Sequence, residues 1–116
     1  MDDKIYKGLK GAKLASIIYD CKDPQELAVF YASLLGGEVI SDPYGGVCLS
    51  VPSLGIDIAF QQDEYYKRPV WLGSESDQQP MVHIDLRVDD MKAAADYALS
   101  IGASMPEKQF CQPEWD

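Results

Sequence analysis

The sequence predicts an α+β fold in which paired βαβββ modules form a curved, cavity-containing mixed sheet, with the second module incomplete. Two observations support this prediction. An Ile-rich run followed by a capped helix lies near the start of the chain, and the same pattern returns 67 positions later. With 116 residues, the chain has room for one hydrophobic core. We therefore expect one domain over 1–116, with module 1 at about 13–61, a loop at 62–80 and module 2 at about 81–116.

The first module starts with the apolar run Leu14–Cys21, which predicts a strand. Asp23 and Pro24 follow, and they suit the cap and the first position of a helix. Apolar residues at helical spacing continue to Gly36–Gly37, where glycine ends the helix because it accepts left-handed backbone angles. Three further strands are expected at 39–40, 47–51 and 56–61.

The second module repeats this order with a strand at 82–88, a capping Asp90 and a helix whose apolar face runs from Met91 to Ile101. Gly102 closes that helix, and the 14 residues after it supply one strand and the start of another. Either the chain is truncated or a partner completes the sheet. An unfinished sheet leaves a free edge, which favours pairing with a second copy.

Charge and cysteine content exclude several classes of function. The chain carries 19 acidic and 10 basic residues, and its formal charge of -9 repels nucleic acids and anionic membranes. No apolar run approaches the roughly 20 residues that span a bilayer, and the N-terminus is too polar for a signal peptide. The three cysteines are widely spaced, without a CxxC pair. They predict neither a disulfide framework nor a zinc site, and they fit a reducing cytoplasm.

Strand parity identifies candidate site residues. In the strand predicted at 82–88, one parity is apolar and should pack beneath the following helix, while the other is polar and should face the cavity. The polar set is His83, Asp85 and Arg87. The same parity puts Ser16 and Asp20 on the cavity side of the first strand, and Asp57 and Gln61 on that of the strand at 56–61. A sheet-walled cavity with a few polar groups is typical of a small-molecule site.

Several of these residues allow two interpretations. His83 is the only histidine, and a neutral imidazole suits a divalent metal or a general base, although a strand histidine is often only hydrogen-bonded or exposed. Gln61 could offer a carbonyl oxygen to a hard cation or be a solvated amide at a strand end. The aromatic residues of the loop either cover a ligand as a lid or fix the loop to the core; they are Tyr65, Tyr66 and Trp71.

The residues also resemble a known family. A strand, Asp23–Pro24, a helix and then Leu34–Gly37 resemble the opening of glyoxalase-like domains. The stretch Tyr66–Trp71, followed by QQPMVHIDLRVDD at 78–90, is similar to the same group. These domains belong to the vicinal oxygen chelate superfamily, which includes glyoxalase I, bleomycin-resistance proteins and extradiol dioxygenases. The resemblance covers about residues 13–116.

The resemblance implies a fold of paired βαβββ modules around a cavity, often within a homodimer. In metal-using members, a histidine on the first strand of each module and a carboxylate or amide on the fourth strand hold the ion. His83 matches the second-module histidine, and Gln61 lies near the fourth-strand position. The counterpart of His83 in the first module is Ser16, and serine is a poor ligand for a divalent metal. The remaining ligand would lie on a last strand that this chain lacks.

Three functions are therefore open. We favour a module that binds a small molecule without a tight metal site, in which Ser16, Asp85 and Arg87 orient polar groups and the loop aromatics stack on apolar ones. The alternative is a metal-dependent lyase, isomerase or dioxygenase, in which a divalent ion at His83 and Gln61 acts as a Lewis acid. The third is a structural fragment without activity.

Overall fold

A computed structural model of the chain describes residues 3–43, 45–71 and 73–106. Four strands and two helices occur in these ranges, in the order βαβββα, and this mixture confirms the predicted α+β class. The elements are β1 (Ser16–Cys21), α1 (Pro24–Leu35), β2 (Glu38–Ser41), β3 (Val47–Ser50), β4 (Asp57–Gln62) and α2 (Met91–Ser100).

The strands form one open, mixed sheet in the order β1-β4-β3-β2. β1 runs parallel to β4, and the other neighbouring pairs are antiparallel. The crossover from β1 to β2 is α1, which packs on one face of the sheet. Leu49, Ile58 and Phe60 are buried beneath this helix together with Ala28 of the helix itself. The core therefore lies between α1 and a single face of the sheet.

Local signals explain where α1 begins and ends. The Asp23 carboxylate accepts a hydrogen bond from the Glu26 N–H at 3.1 Å, which satisfies one of the free donors of the first turn. At the other end, Gly36 has φ 78° and its N–H donates to the Ala32 carbonyl oxygen at 2.7 Å. At Gly37 (φ 109°), a Cβ atom would collide with the Ser50 carbonyl oxygen. Only glycine lets the chain pass this close to β3.

The start of α2 repeats the start of α1. Asp90 has φ -131° and ψ 106°, against -131° and 98° for Asp23, and its carboxylate accepts from the Ala93 N–H at 3.0 Å. A hydrogen bond of 2.9 Å from the Tyr97 hydroxyl to the Ser33 carbonyl oxygen joins α2 to α1. The two helices therefore begin with the same cap geometry.

The strand predicted at 82–88 is not present, because no residue between 63 and 90 in the described part of the chain belongs to a strand or helix. Val82, Leu86 and Val88 are exposed instead of packing beneath α2. An extended segment becomes a strand only when neighbours bind its backbone N–H and C=O groups. The strands predicted after Gly102, which would supply such neighbours, fall mainly on residues 107–116, outside the described residues.

The missing packing is visible in the dimensions of the chain. Its radius of gyration is 17.0 Å, whereas a compact domain of this length has about 13 Å. No described residue of α2 is buried. The second half therefore adds little to the core formed by β1–β4 and α1.

Replacing Leu49 tests the position of this core. Leu49 is fully buried in β3, and Leu54, in the turn that follows, is 43% exposed. Leu49→Ala should lower the free energy of unfolding by about 2–5 kcal/mol, because it removes buried methyl groups and leaves a cavity. The control Leu54→Ala should change it by less than about 0.5 kcal/mol. Urea unfolding at 1 µM protein measures both, and equal losses would contradict the proposed core.

Candidate functional site

The face of the sheet opposite α1 is the candidate site, and no element of the described chain packs on it extensively. Side chains alternate between the two faces of a strand, so the residues between the core positions point to this side. Ile18, on this side, is 58% exposed, whereas Ile58 on the core side is 4% exposed. We call this side the open face. It consists of Ser16, Ile18, Asp20, Glu38, Ile40, Cys48, Ser50, Asp57, Ala59 and Gln61.

Strand register orders these ten side chains into three rows. One polar row crosses all four strands: Glu38, Ser50, Asp57 and Ser16. The next row is apolar: Ile40, Cys48, Ala59 and Ile18. The third row is polar again and pairs Asp20 with Gln61. With strands about 4.8 Å apart and about 3.3 Å between successive residues, this apolar stripe and its polar borders measure roughly 14 by 13 Å.

The charge of the open face is negative. Its polar rows contain three exposed carboxylates, those of Asp20, Glu38 and Asp57, and none of its ten residues is basic. This negative charge also affects Cys48, which lies in the apolar stripe. Burial raises the pKa of the Cys48 thiol, and the carboxylates of Asp42 and Asp57 raise it further. This thiol is therefore protonated and a weak nucleophile at neutral pH.

A second thiol is also held in its neutral form. Cys21 is buried at the end of β1, and its Sγ donates a hydrogen bond to the Gln61 carbonyl oxygen at 3.6 Å. Burial raises the pKa of Cys21, as do the nearby charges of Asp23 and Asp20. Neither cysteine has the electropositive surroundings of a reactive thiol.

Of the seven polar residues predicted for the site, four lie on the open face, namely Ser16, Asp20, Asp57 and Gln61, and three lie elsewhere. Ser16 pairs with Asp57 at one end of β1, and Gln61 lies opposite Asp20 at the other end. His83, Asp85 and Arg87 are exposed in the segment without strand partners. His83 Nε2 is 3.8 Å from Asp85 Oδ1, so these two side chains share one side of the segment. Within the described ranges, no hydrogen bond or ion pair joins this trio to the open face.

The loop aromatics do not form one cluster. Tyr65 and Trp71 are exposed, and the Tyr65 N–H donates to Asp63 Oδ1 at 2.9 Å. Tyr66 lies on the helix side of the molecule, where it lines an open cleft of about 880 Å³ with α1, Arg68 and residues 101–104. Arg68 Nη2 donates to Ser104 Oγ at 3.0 Å across this cleft. The lid over the cavity stays a prediction for Tyr65 and Trp71, and Tyr66 lies on the opposite side of the sheet from the open face.

The predicted metal ligands are His83 and Gln61, and they belong to different parts of the chain. Across residues 3–43, 45–71 and 73–106, no group of three or more His, Cys, Asp or Glu side chains could hold a metal ion. Gln61 lies on β4 next to β1, and the close partner of His83 is Asp85 in a different segment. Within the described residues, no cluster of such side chains therefore forms a metal centre.

Four residues of the open face were missed by sequence reasoning: Glu38, Ile40, Cys48 and Ser50. These residues belong to β2 and β3, which have four residues each and for which no cavity side was predicted. A usable signal existed in β3, where Val47, Leu49 and Val51 alternate with Cys48 and Ser50. The first set is buried and the second is half-buried, as this alternation predicts.

A comparison with known protein families identifies the class of protein that has this fold. A family model described as a glyoxalase-like domain matches residues 16–115, and the chain therefore belongs to this family of the vicinal oxygen chelate superfamily. The resemblance seen in the sequence is confirmed. No curated protein matches the chain.

Two solved structures extend the comparison. The integron cassette protein VCH_CASS1, from the mobile metagenome of V. cholerae, is 17% identical with a TM-score of 0.53, over 86% of this chain and 75% of that one. VPC_CASS1 of V. pseudocholerae is 19% identical with the same TM-score, over 86% and 74%. At such identities the likeness shows the fold alone. Among the described helices, none has the length and apolar character needed to cross a bilayer.

The protonated state of Cys48 predicts slow alkylation. Because the pKa of its thiol is raised, the midpoint of the pH–rate profile with iodoacetamide should lie above the ordinary thiol value of about 8.5. Asp57→Asn removes a nearby negative charge and should move the midpoint to lower pH. Asp89→Asn, in the segment before α2, should leave it unchanged. Mass spectrometry of the Cys48 peptide gives the rates, and a wild-type midpoint at or below the ordinary value would contradict this account.

Proposed function

We propose that this glyoxalase-like protein binds a small organic molecule on the open face, without a tight metal site. The observation that carries the proposal is the apolar stripe between two polar rows, which is left uncovered over an area that suits a drug-sized molecule. Small-molecule sites combine apolar contact area with a few polar groups that fix the orientation of the ligand. Ser16 and Gln61 supply neutral hydrogen-bonding groups, while Ile18 and Ile40 supply apolar surface.

The charge of this face favours one class of ligand. Three carboxylates border the apolar stripe, and no basic residue of the face offsets them. An anion would meet repulsion there, whereas an organic cation with a flat apolar body would match both the stripe and its borders. We therefore propose an amphipathic organic cation as the ligand class.

We also propose a homodimer in the cytoplasm. The outer edge of β1 is free of strand partners in the described sheet, and the segment with His83, Asp85 and Arg87 lacks them too. Such groups favour pairing between chains, and pairing would bring these polar side chains towards a ligand. The cytoplasm is supported by the free thiols of Cys21 and Cys48, which suit a reducing compartment.

Dye binding tests the proposed site. The cationic dye thioflavin T should bind more tightly than the anionic dye 1-anilinonaphthalene-8-sulfonate, measured by fluorescence titration. Asp20→Asn with Asp57→Asn should weaken thioflavin T binding, by up to roughly fivefold for each carboxylate, since an exposed charge pair is worth at most about 1 kcal/mol.

The control for this experiment is the double variant Asp89→Asn with Asp96→Asn, which changes the net charge equally but lies away from the open face. Its affinity for thioflavin T should stay within a factor of two of wild type. Equal losses in the two double variants, or tighter binding of the anionic dye, would disprove a cation site on this face.

A further inference from the structure

The basic residues of this acidic chain are concentrated at its start. Lys4, Lys7, Lys10 and Lys13 are four of its ten basic residues, and only two aspartates accompany them in the first 13 positions. The rest of the chain carries six basic and 17 acidic residues. We call residues 3–15 the N-terminal arm. Its charge is opposite to that of the body that follows.

The N-terminal arm is apolar as well as basic, and it is uncovered. Every one of its residues is exposed, and none belongs to a helix or strand. Ile5 is 97% exposed, and Tyr6 and Leu9 are each 82% exposed. Several large apolar side chains exposed close together usually mark a contact surface. The arm therefore has the composition of a segment that binds a surface both acidic and apolar.

The open face is such a surface, and we propose that the N-terminal arm of one copy lies across the open face of a second copy. The lysines meet Asp20, Asp57 and Glu38, while Leu9 and its apolar neighbours cover the stripe. Because each chain has one arm and one open face, two copies exchange arms symmetrically. This contact goes beyond ligand binding, but it rests on the proposed homodimer.

The spacing of the charges supports this contact. In an extended arm, Lys4 and Lys10 lie on the same side, about 20 Å apart, with Lys7 on the other side between them, and the two polar rows of the open face are roughly 13 Å apart. The long, flexible lysine stems span the difference, and their methylene groups pack on the stripe. Nucleic acids and anionic membranes are weaker candidates for the arm, because the 17 acidic residues of the body repel phosphate groups.

The connection between the arm and β1 favours a second copy over the arm's own chain. The Ala15 carbonyl oxygen accepts from the Asp57 N–H at 3.2 Å, so the chain enters β1 already aligned with the sheet. The arm reverses at a turn in which the Ala12 N–H donates to the Leu9 carbonyl oxygen at 3.0 Å. The turn spans residues 9–12, so only the residues before it could fold back over their own open face. A second copy can accept the whole arm.

The arm and a cationic ligand require the same carboxylates. Binding of one therefore weakens binding of the other, and the exchange of arms is reversible by an organic cation at sufficient concentration.

Charge reversal tests the exchange of arms. The arm-reversed chain carries Lys4→Glu, Lys7→Glu and Lys10→Glu. Its control carries Lys22→Glu, Lys67→Glu and Lys92→Glu, which change the net charge equally outside the arm. The face-reversed chain carries Asp20→Lys and Asp57→Lys. Sedimentation velocity at 50 µM protein in 50 mM NaCl gives the mass of each, and circular dichroism checks that each is folded.

Wild type and the control should be dimers. The arm-reversed and face-reversed chains should each dissociate at least about tenfold more readily, the combined effect of several exposed charge pairs. Mixed in equal amounts, these two chains should form a heterodimer, because each reversed surface again meets its opposite charge. Wild type in 0.5 M NaCl should also dissociate more readily, since salt screens exposed charges.

A failure of the arm exchange and a failure of the homodimer would give different results. A wild-type dimer that the arm reversal leaves intact would overturn the exchange of arms and leave the homodimer standing. A monomeric wild type would overturn both, while dye binding to the open face would still be measured on the monomer. An equal mixture of the reversed chains that stays monomeric would show that the arm does not bind this face.

Discussion

The packing of α1 on a single face of the sheet is the constraint from which the other features follow. Phe60 anchors it, with its ring 6.2 Å from that of Tyr19 and 5.6 Å from that of Tyr31. Burial among these rings raises the pKa of Tyr31, so its hydroxyl remains neutral in the core. Side chains alternate between the two faces of a strand. Because one face packs on α1, every residue between two core positions therefore points to the other side. The acidic rows and the apolar stripe are thus a direct result of where the helix lies.

Membership of the glyoxalase-like family defines the fold but not the ligand, because one fold supports many unrelated reactions. The proposed ligand class depends instead on the individual side chains of the open face. Ser16 carries a hydroxyl group on the open face, and a hydroxyl favours hydrogen bonding over metal coordination. The thiols of Cys21 and Cys48 are protonated, and among the described residues no ion pair involves Asp20, Glu38 or Asp57. The site is consequently suited to recognition by charge and shape.

Features set by neighbours in sequence could be predicted, and features set by distant partners could not. The cap at Asp23 and the end of α1 at Gly36 depend on a few adjacent residues, and both were expected. Strand parity also placed Ser16 and Gln61 on one face. At 82–88 the alternation correctly put His83 and Asp85 on the same side, but no local pattern can supply the neighbouring strand that this segment lacks. The N-terminal arm is also a local feature of the sequence, but the net charge of the whole chain conceals its four lysines.

All ten side chains of the open face come from one continuous segment, residues 16–61. The open face is therefore encoded in a short stretch of the gene, together with helix α1, which packs on the other side of the sheet. Recombination that exchanged this stretch would transfer the whole open face in one step, with its charge pattern intact. Substitutions in the second half would leave these ten residues unchanged, so the two halves can evolve at different rates.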